Sequence, residues 1–159
     1  MLKLKVELIP NTSWGQSLRR LARQSTWNKL KKEVYAEYKH KCGICRVEGR
    51  LQCHEIWKYD DQKHIQKLVG FIALCDLCHS VKHLGRTKQI SISNLDYYKM
   101  AVEHFMKVNA CNRNVFEKHK KDMFTKWHER SQHEWEIDFG EYQNLFGLSV
   151  VMLRRKFFK

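Results

Sequence analysis

Two short cysteine motifs decide the fold of this chain: Cys42-Gly43-Ile44-Cys45 and Cys75-Asp76-Leu77-Cys78. A spacer of two residues lets both thiolates of a motif reach one ion, so two motifs complete a tetrahedral site. Zinc suits four thiolates best, and a closed ligand shell leaves no position for a substrate. The sequence therefore predicts a structural Zn²⁺ held by Cys42, Cys45, Cys75 and Cys78.

A helix carrying two histidines is predicted directly after the second motif. His79 follows the last cysteine, and His83 comes four residues later. A helix that begins near Asp76 places both imidazoles on one face, one turn apart. Gly85 is expected to end this helix.

The segment between the two motifs predicts a β-hairpin. Leu51–Ile56 is typical of a short strand, and Leu68–Leu74 is typical of a second strand that leads into the second motif. His54 and Glu55 lie at the end of the first strand. Hairpin and helix can therefore bring His54, Glu55 and the two helix histidines to one open site.

Outside this region, the spacing of apolar residues predicts one extended segment and three amphipathic helices. The alternation over Leu2–Ile9 is typical of a half-buried strand or an extended arm. The helices are predicted over Thr26–Tyr38 after a Ser25 cap, from an Asn94 cap through Met106, and from about Asn112 to just before Ser131. Cys53 and Cys111, which lack a motif partner, are expected to be small buried hydrophobes.

Composition bounds the class of protein. The chain has 159 residues, of which 43% are hydrophobic and 12% aromatic, so we expect a folded unit. One compact unit is predicted, with a basic arm and helix (1–40), a metal-binding core (41–88), a helical extension (89–143) and a basic C-terminal segment (144–159). We expect a cytoplasmic protein, because the chain lacks an apolar stretch of membrane-spanning length and a signal-like apolar run. The oligomeric state stays open.

The net charge of +13 indicates a polyanionic partner. Neutralising phosphates releases counterions and gives affinity that does not depend on sequence. The candidate contacts with such a partner are Arg19, Arg20, Arg23, Arg154, Arg155 and Lys156. The alternatives for these residues are a solvated face and a frayed tail.

From Lys41 to Gly85, the order of these motifs resembles the HNH endonuclease family. The resemblance implies an α+β fold with a small ββα-metal core, similar to a treble clef, that is stabilised by a structural zinc and flanked by helices. It also implies cleavage of DNA phosphodiester bonds with one catalytic divalent metal. Mg²⁺, Mn²⁺, Ni²⁺ and Zn²⁺ are all candidates for that metal.

The resemblance also implies site residues, in one of two registers. His79 and His83 match the helix ligands, with His54 as the third. Alignment on Ile56 makes His54 a ligand and Glu55 the general base, whereas alignment on chemistry makes His54 the base and places Cys53 at a ligand position. A base with a pKa near neutrality favours His54, with Glu55 orienting it or approaching the metal.

One position departs from the family pattern. Gly70 stands where the family has an asparagine that organises the site, and Gln66 or Asp61 are possible substitutes unless they are solvated loop groups. This departure favours the alternative function, a zinc-stabilised module that binds nucleic acid without cleaving it.

Overall fold

The fold is a mixed α+β arrangement. The computed structural model describes residues 1–91 and 95–145, and over those residues it has seven helices and one three-stranded sheet. The elements in chain order are α1 (Leu18–Leu21), α2 (Gln24–Glu37), β1 (Leu51–Asp60), β2 (Ile65–Cys75), α3 (Asp76–Lys82), α4 (Leu84–Ile90), α5 (Leu95–Asn109), α6 (Arg113–Arg130), β3 (Glu136–Asp138) and α7 (Tyr142–Leu145). A short 3₁₀ turn, Asn11–Ser13, precedes α1.

An antiparallel hairpin of β1 and β2 forms the centre of the fold, as predicted, but both strands are longer than expected. The register shifts between Ile56, which pairs with Gly70, and Trp57, which pairs with Leu68, so Val69 is the extra residue of a bulge. The sequence interpretation ended the first strand at Ile56 because the segment from there to Asp61 has the polar residues of a loop. Strand β3, which the sequence did not predict, pairs with β2 in parallel.

The two faces of the hairpin support two hydrophobic clusters. Leu74 belongs to a cluster with the N-terminal arm, α3, α5 and α6, and Ile72 packs against it. Phe71 and Ala73 belong to a second cluster with Trp27 of α2. Successive residues of a strand point to opposite faces, so β2 contributes to both clusters.

The N-terminal segment is an extended arm, and the strand predicted as its alternative is wrong. Leu4 and Val6 are fully buried, which confirms the predicted alternation. The backbone N–H groups of Lys3 and Leu4 donate to Oδ1 of Asn109, and that of Val6 donates to Nε2 of His119. Side chains of α5 and α6 therefore accept hydrogen bonds from the backbone N–H groups of the arm, as a neighbouring strand would in a sheet.

Two predicted helix boundaries differ from the structure, and a third agrees with it. The helix after the second motif ends at Lys82, and Gly85 lies inside α4, so glycine does not end it. Helix α2 begins at Gln24 after Arg23, and Ser25 is not its cap. The third helix begins where it was predicted, near Asn112, and Asn112 caps α6 by accepting from the N–H of Val115.

Some predictions are not tested by the described residues. The Asn94 cap and the C-terminal cations Arg154, Arg155 and Lys156 lie outside them. Among the helices within them, none has the length and apolar character needed to span a bilayer. The cytoplasmic location and the division into four parts stay predictions.

Candidate functional site

The four motif cysteines lie together. The sulfur atoms of Cys42, Cys45, Cys75 and Cys78 are all within 4.8 Å of one another, and none of these residues forms a disulfide. Cys42 and Cys78 are buried, whereas Cys45 and Cys75 are partly buried. Four thiols at this spacing could hold a structural metal ion such as zinc.

Contact with the sheet positions the first cysteine motif. The N–H of Cys42 donates to the carbonyl of Val47 at 2.9 Å, and the N–H of Gly43 donates to the carbonyl of Ala73 at 2.8 Å. A Cβ at Gly43 would lie 2.6 Å from Cε1 of Tyr38 and 2.7 Å from Cγ1 of Ile72. Only glycine therefore lets the turn approach the hairpin this closely.

Mutual hydrogen bonds couple the thiols. Those from Cys75 and Cys78 lower the pKa of Cys42, and the bond with Cys42 raises the pKa of Cys75 to about 11. One thiolate is therefore stabilised by its protonated neighbours, whereas metal binding requires that all four lose their protons. Nε2 of His104, on α5, lies 3.1 Å from Sγ of Cys78. Sequence reasoning missed this contact, because no spacing rule links the two positions.

Three histidines form a second cluster, as the sequence predicted. His54 comes from β1, His79 from α3, and His83 caps the end of α3, where its N–H still donates to the carbonyl of His79. One ring nitrogen of each lies within 4.8 Å of one from each of the others. The ring centroids are separated by 4.6 Å (His79 and His83), 4.9 Å (His54 and His83) and 5.5 Å (His54 and His79).

Burial keeps the two helix histidines neutral. Desolvation, together with the neighbouring His54, lowers the pKa of His79 to about 4 and that of His83 to about 3. Neutral imidazoles present ring lone pairs, which is the form that binds metal ions. The three residues thus fit an ion with imidazole affinity, such as Zn²⁺, Ni²⁺ or Mn²⁺, better than one that requires oxygen ligands.

A carboxylate of the N-terminal arm contacts this cluster, and sequence reasoning missed it. Oε2 of Glu7 lies 3.1 Å from Nε2 of His54, and Oε1 accepts a hydrogen bond from Nζ of Lys82. Burial by itself raises the pKa of Glu7, but the bond with His54 and the charge of Lys82 outweigh it and lower the pKa to about 2. The only signal in the sequence is an isolated acid in an arm that carries Lys3 and Lys5.

Glu55 lies outside the histidine cluster. It follows His54 in β1, so its side chain points to the opposite face of the strand. There its Oε1 accepts from the N–H of Arg19 at 3.2 Å, and burial raises the pKa of Glu55 to about 7. Its carboxylate is therefore partly protonated near neutral pH.

The two unpaired cysteines behave as packing residues. Cys53 is partly buried against the cluster around Trp27, where burial raises the pKa of its thiol to about 12. Cys111 is partly buried against the cluster around Leu74. Both fit the expected role of small hydrophobes, although neither is fully buried, and Cys53 does not join the histidines as a ligand.

Gln66 and Asp61 are the two candidates from the sequence to replace the asparagine of the HNH pattern. Gln66 is 1% exposed and accepts from Oγ of Ser13, so it is not a solvated loop group. Its partner in β1 is Tyr59, five residues from His54, or about 17 Å along a strand. Asp61, beyond the end of β1, pairs with Arg130. Neither Gln66 nor Asp61 belongs to the histidine cluster.

Exposed cations flank the histidine cluster. Arg19, Arg20 and Arg23 are all exposed at and after α1. The positive charges of Arg86 and Arg19 contribute to lowering the pKa of His79, which indicates that both lie near that ring. Arg86, on α4, was not predicted, because its place beside the histidines depends on how α4 follows α3.

Comparisons of the chain with models of protein families, with curated proteins and with solved structures find no match.

Proposed function

We propose that this chain is a metal-dependent DNA endonuclease of the HNH type. The observation that carries the proposal is the convergence of His54, His79 and His83 from a hairpin and the helix that follows it. The same hairpin and helix connect the cysteines of the four-cysteine cluster. A module that only binds nucleic acid has no use for three imidazoles aimed at one point.

The three histidines would hold the catalytic metal. A divalent cation bound there would supply Lewis-acid stabilisation of charge on the phosphate and on the leaving oxygen. His54 is assigned as a ligand, because its Nε2 faces Glu7 and its ring lies against the other two imidazoles. Mg²⁺, Mn²⁺, Ni²⁺ and Zn²⁺ stay the candidates, and an all-imidazole donor set favours the last three.

With His54 as a ligand, its ring has no free nitrogen for a second role. Glu55, the other candidate base, faces Arg19 on the opposite side of β1 from the histidines. The attacking water therefore loses its proton to solvent as its oxygen forms a bond to phosphorus. The bond from phosphorus to the 3′ oxygen breaks, and that oxygen takes a proton from solvent. The products carry 5′-phosphate and 3′-hydroxyl ends.

The flanking arginines would bind the DNA backbone. Arg19 and Arg86 are exposed cations next to the histidine cluster. A guanidinium matches a phosphate with paired hydrogen bonds, so these residues hold the backbone at the histidines. Arg20 and Arg23, which are exposed at and after α1, would add positive charge for the same backbone.

The test is cleavage of supercoiled plasmid by protein that keeps its structural zinc, with Mg²⁺, Mn²⁺, Ni²⁺ or Zn²⁺ supplied singly. His83→Ala should lower the cleavage rate more than about 100-fold, beyond the usual effect of residues that only support a ligand. His128→Ala is the matched control, because this exposed histidine of α6 lies outside the cluster. Matched DNA and RNA duplexes report the preferred substrate.

Wild-type protein that cuts with no ion, or an unaffected rate in His83→Ala, would sink the proposal. DNA binding that falls with salt, without cleavage under any ion, would instead establish the non-catalytic module. The observation that favours this second function is Gly70, where an added Cβ would meet only ordinary contacts at 3.9 Å and 4.0 Å. Steric crowding at the Cβ position therefore does not explain why glycine replaces asparagine here.

A further inference from the structure

Glu7 connects the two elements that carry the histidine cluster. One carboxylate oxygen contacts Nε2 of His54 on β1, and the other accepts from Nζ of Lys82 at the end of α3. The backbone N–H of Glu7 also donates to the carbonyl of Lys82 at 2.9 Å. The residue therefore holds α3 at two points and β1 at a third.

Buried side chains and backbone hydrogen bonds fix the position of the arm that carries Glu7. Leu4 and Val6 are completely or almost completely buried, with exposed fractions of 0% and 1%. Two helices bind the arm's backbone through Asn109 and His119. The Lys82 side chain is only 12% exposed, so its ion pair with Glu7 is less screened than a surface pair. These contacts limit the conformational freedom of the Glu7 carboxylate.

The contact also selects one form of the His54 ring. An ionised carboxylate only accepts hydrogen bonds, so Nε2 of His54 carries the proton that faces Glu7. In the neutral ring the lone pair is then on Nδ1, and the ring cannot turn without breaking the bond. A carboxylate that holds a histidine in this way fixes its orientation and raises its basicity toward a metal ion.

We infer that Glu7 is the positioning residue of the histidine cluster: it orients His54 and ties it to the helix of His79 and His83, so that the N-terminal arm completes the metal site. This inference rests on the proposed function only in taking the three histidines as metal ligands. It adds a residue 47 positions from His54 that no motif assigns.

The experiment measures Zn²⁺ and Ni²⁺ affinity at the histidine site, with the four-cysteine site already loaded with zinc. Binding that disappears in His83→Ala defines the signal from this site. Glu7→Gln keeps the shape but loses the charge, and we expect a dissociation constant about 10-fold weaker. Glu7→Ala removes both contacts and should weaken binding by up to about 100-fold. Glu33→Gln is the control, since its pair with Lys29 is on the exposed surface of α2.

A second readout separates positioning from general stability. In ¹⁵N spectra of the imidazole rings, wild-type protein without a metal at this site should show the His54 proton on Nε2. Both Glu7 variants should show a mixture of the two ring forms. Zinc retention at the four-cysteine site and the backbone spectrum of β2 should stay unchanged.

Unchanged metal affinity and an unchanged His54 ring in both variants would overturn the inference. So would equal losses at both metal sites, because they would mean that the arm only stabilises the fold. Should Glu7→Ala not fold, Glu7→Gln decides alone. Metal binding that depends on Glu7, in a protein that cuts no DNA, would leave this inference standing while the endonuclease proposal fails.

Discussion

The two side-chain clusters are built by different means on the same hairpin and helix. The four cysteines come as two pairs, each within a four-residue turn, and backbone hydrogen bonds of that turn position the first pair. The three histidines come from a strand and a helix, and the contact of His54 with Glu7 spans 47 residues. A pair of ligands in one turn is close before folding, whereas His54 approaches His79 and His83 only once the hairpin and helix have docked.

This difference predicts that mutations in the two clusters affect different properties of the protein. Loss of a metal that forms part of the folded state removes folding free energy, as in small zinc domains. The histidines instead lie on elements that two hydrophobic clusters already hold in place. We therefore expect the cysteine site to control folding and the histidine site to control binding and reaction.

The largest expected effect comes from Cys78→Ser. Structural zinc contributes about 10–16 kcal/mol in zinc-finger peptides, which is comparable to the whole stability of a small domain. The variant should lose both its zinc and its cooperative thermal unfolding, as measured by metal analysis and circular dichroism. His83→Ala should keep both, and a folded Cys78→Ser protein would remove the proposed division of roles.

An intermediate effect is expected from Leu4→Ala. Leu4 is fully buried in the cluster around Leu74, and such truncations cost about 2–5 kcal/mol. Denaturant titration measures that loss. Leu4 anchors the arm in the core three residues before Glu7. Metal affinity at the histidine site should therefore also fall, while zinc at the cysteines is kept. Equal weakening of both sites would contradict the contrast between them.

The smallest expected effect comes from Gly43→Ala, which tests the cysteine turn. The added Cβ would overlap Tyr38 and Ile72, and crowding of this kind costs about 1–3 kcal/mol. Zinc should leave the cysteines faster, as measured with a chromophoric chelator, with unchanged metal affinity at the histidines. Gly85→Ala is the control, because its Cβ would meet only Leu8 at 3.5 Å and would favour helix α4.

Local patterns predicted the centre of the fold well. The cysteine spacing and the apolar runs indicated the hairpin and the histidine helix, and the helix expected from about Asn112 is α6. The errors lie where a local rule met a tertiary constraint. Gly85 reads as a helix stop, yet the chain turns at His83 and continues as α4. The arm has the period of a strand, but helices satisfy its backbone.

The sequence by itself determined which residues could bind metals. Cysteines three positions apart and histidines four positions apart are neighbours in any turn or helix, so their spacing is enough to pair them. Only the tertiary structure decided that His54 joins His79 and His83 while Glu55 faces Arg19, and that Glu7 reaches the cluster from the arm. Those outcomes depend on which strand face packs against α3 and where a buried arm runs, and packing between distant segments sets both.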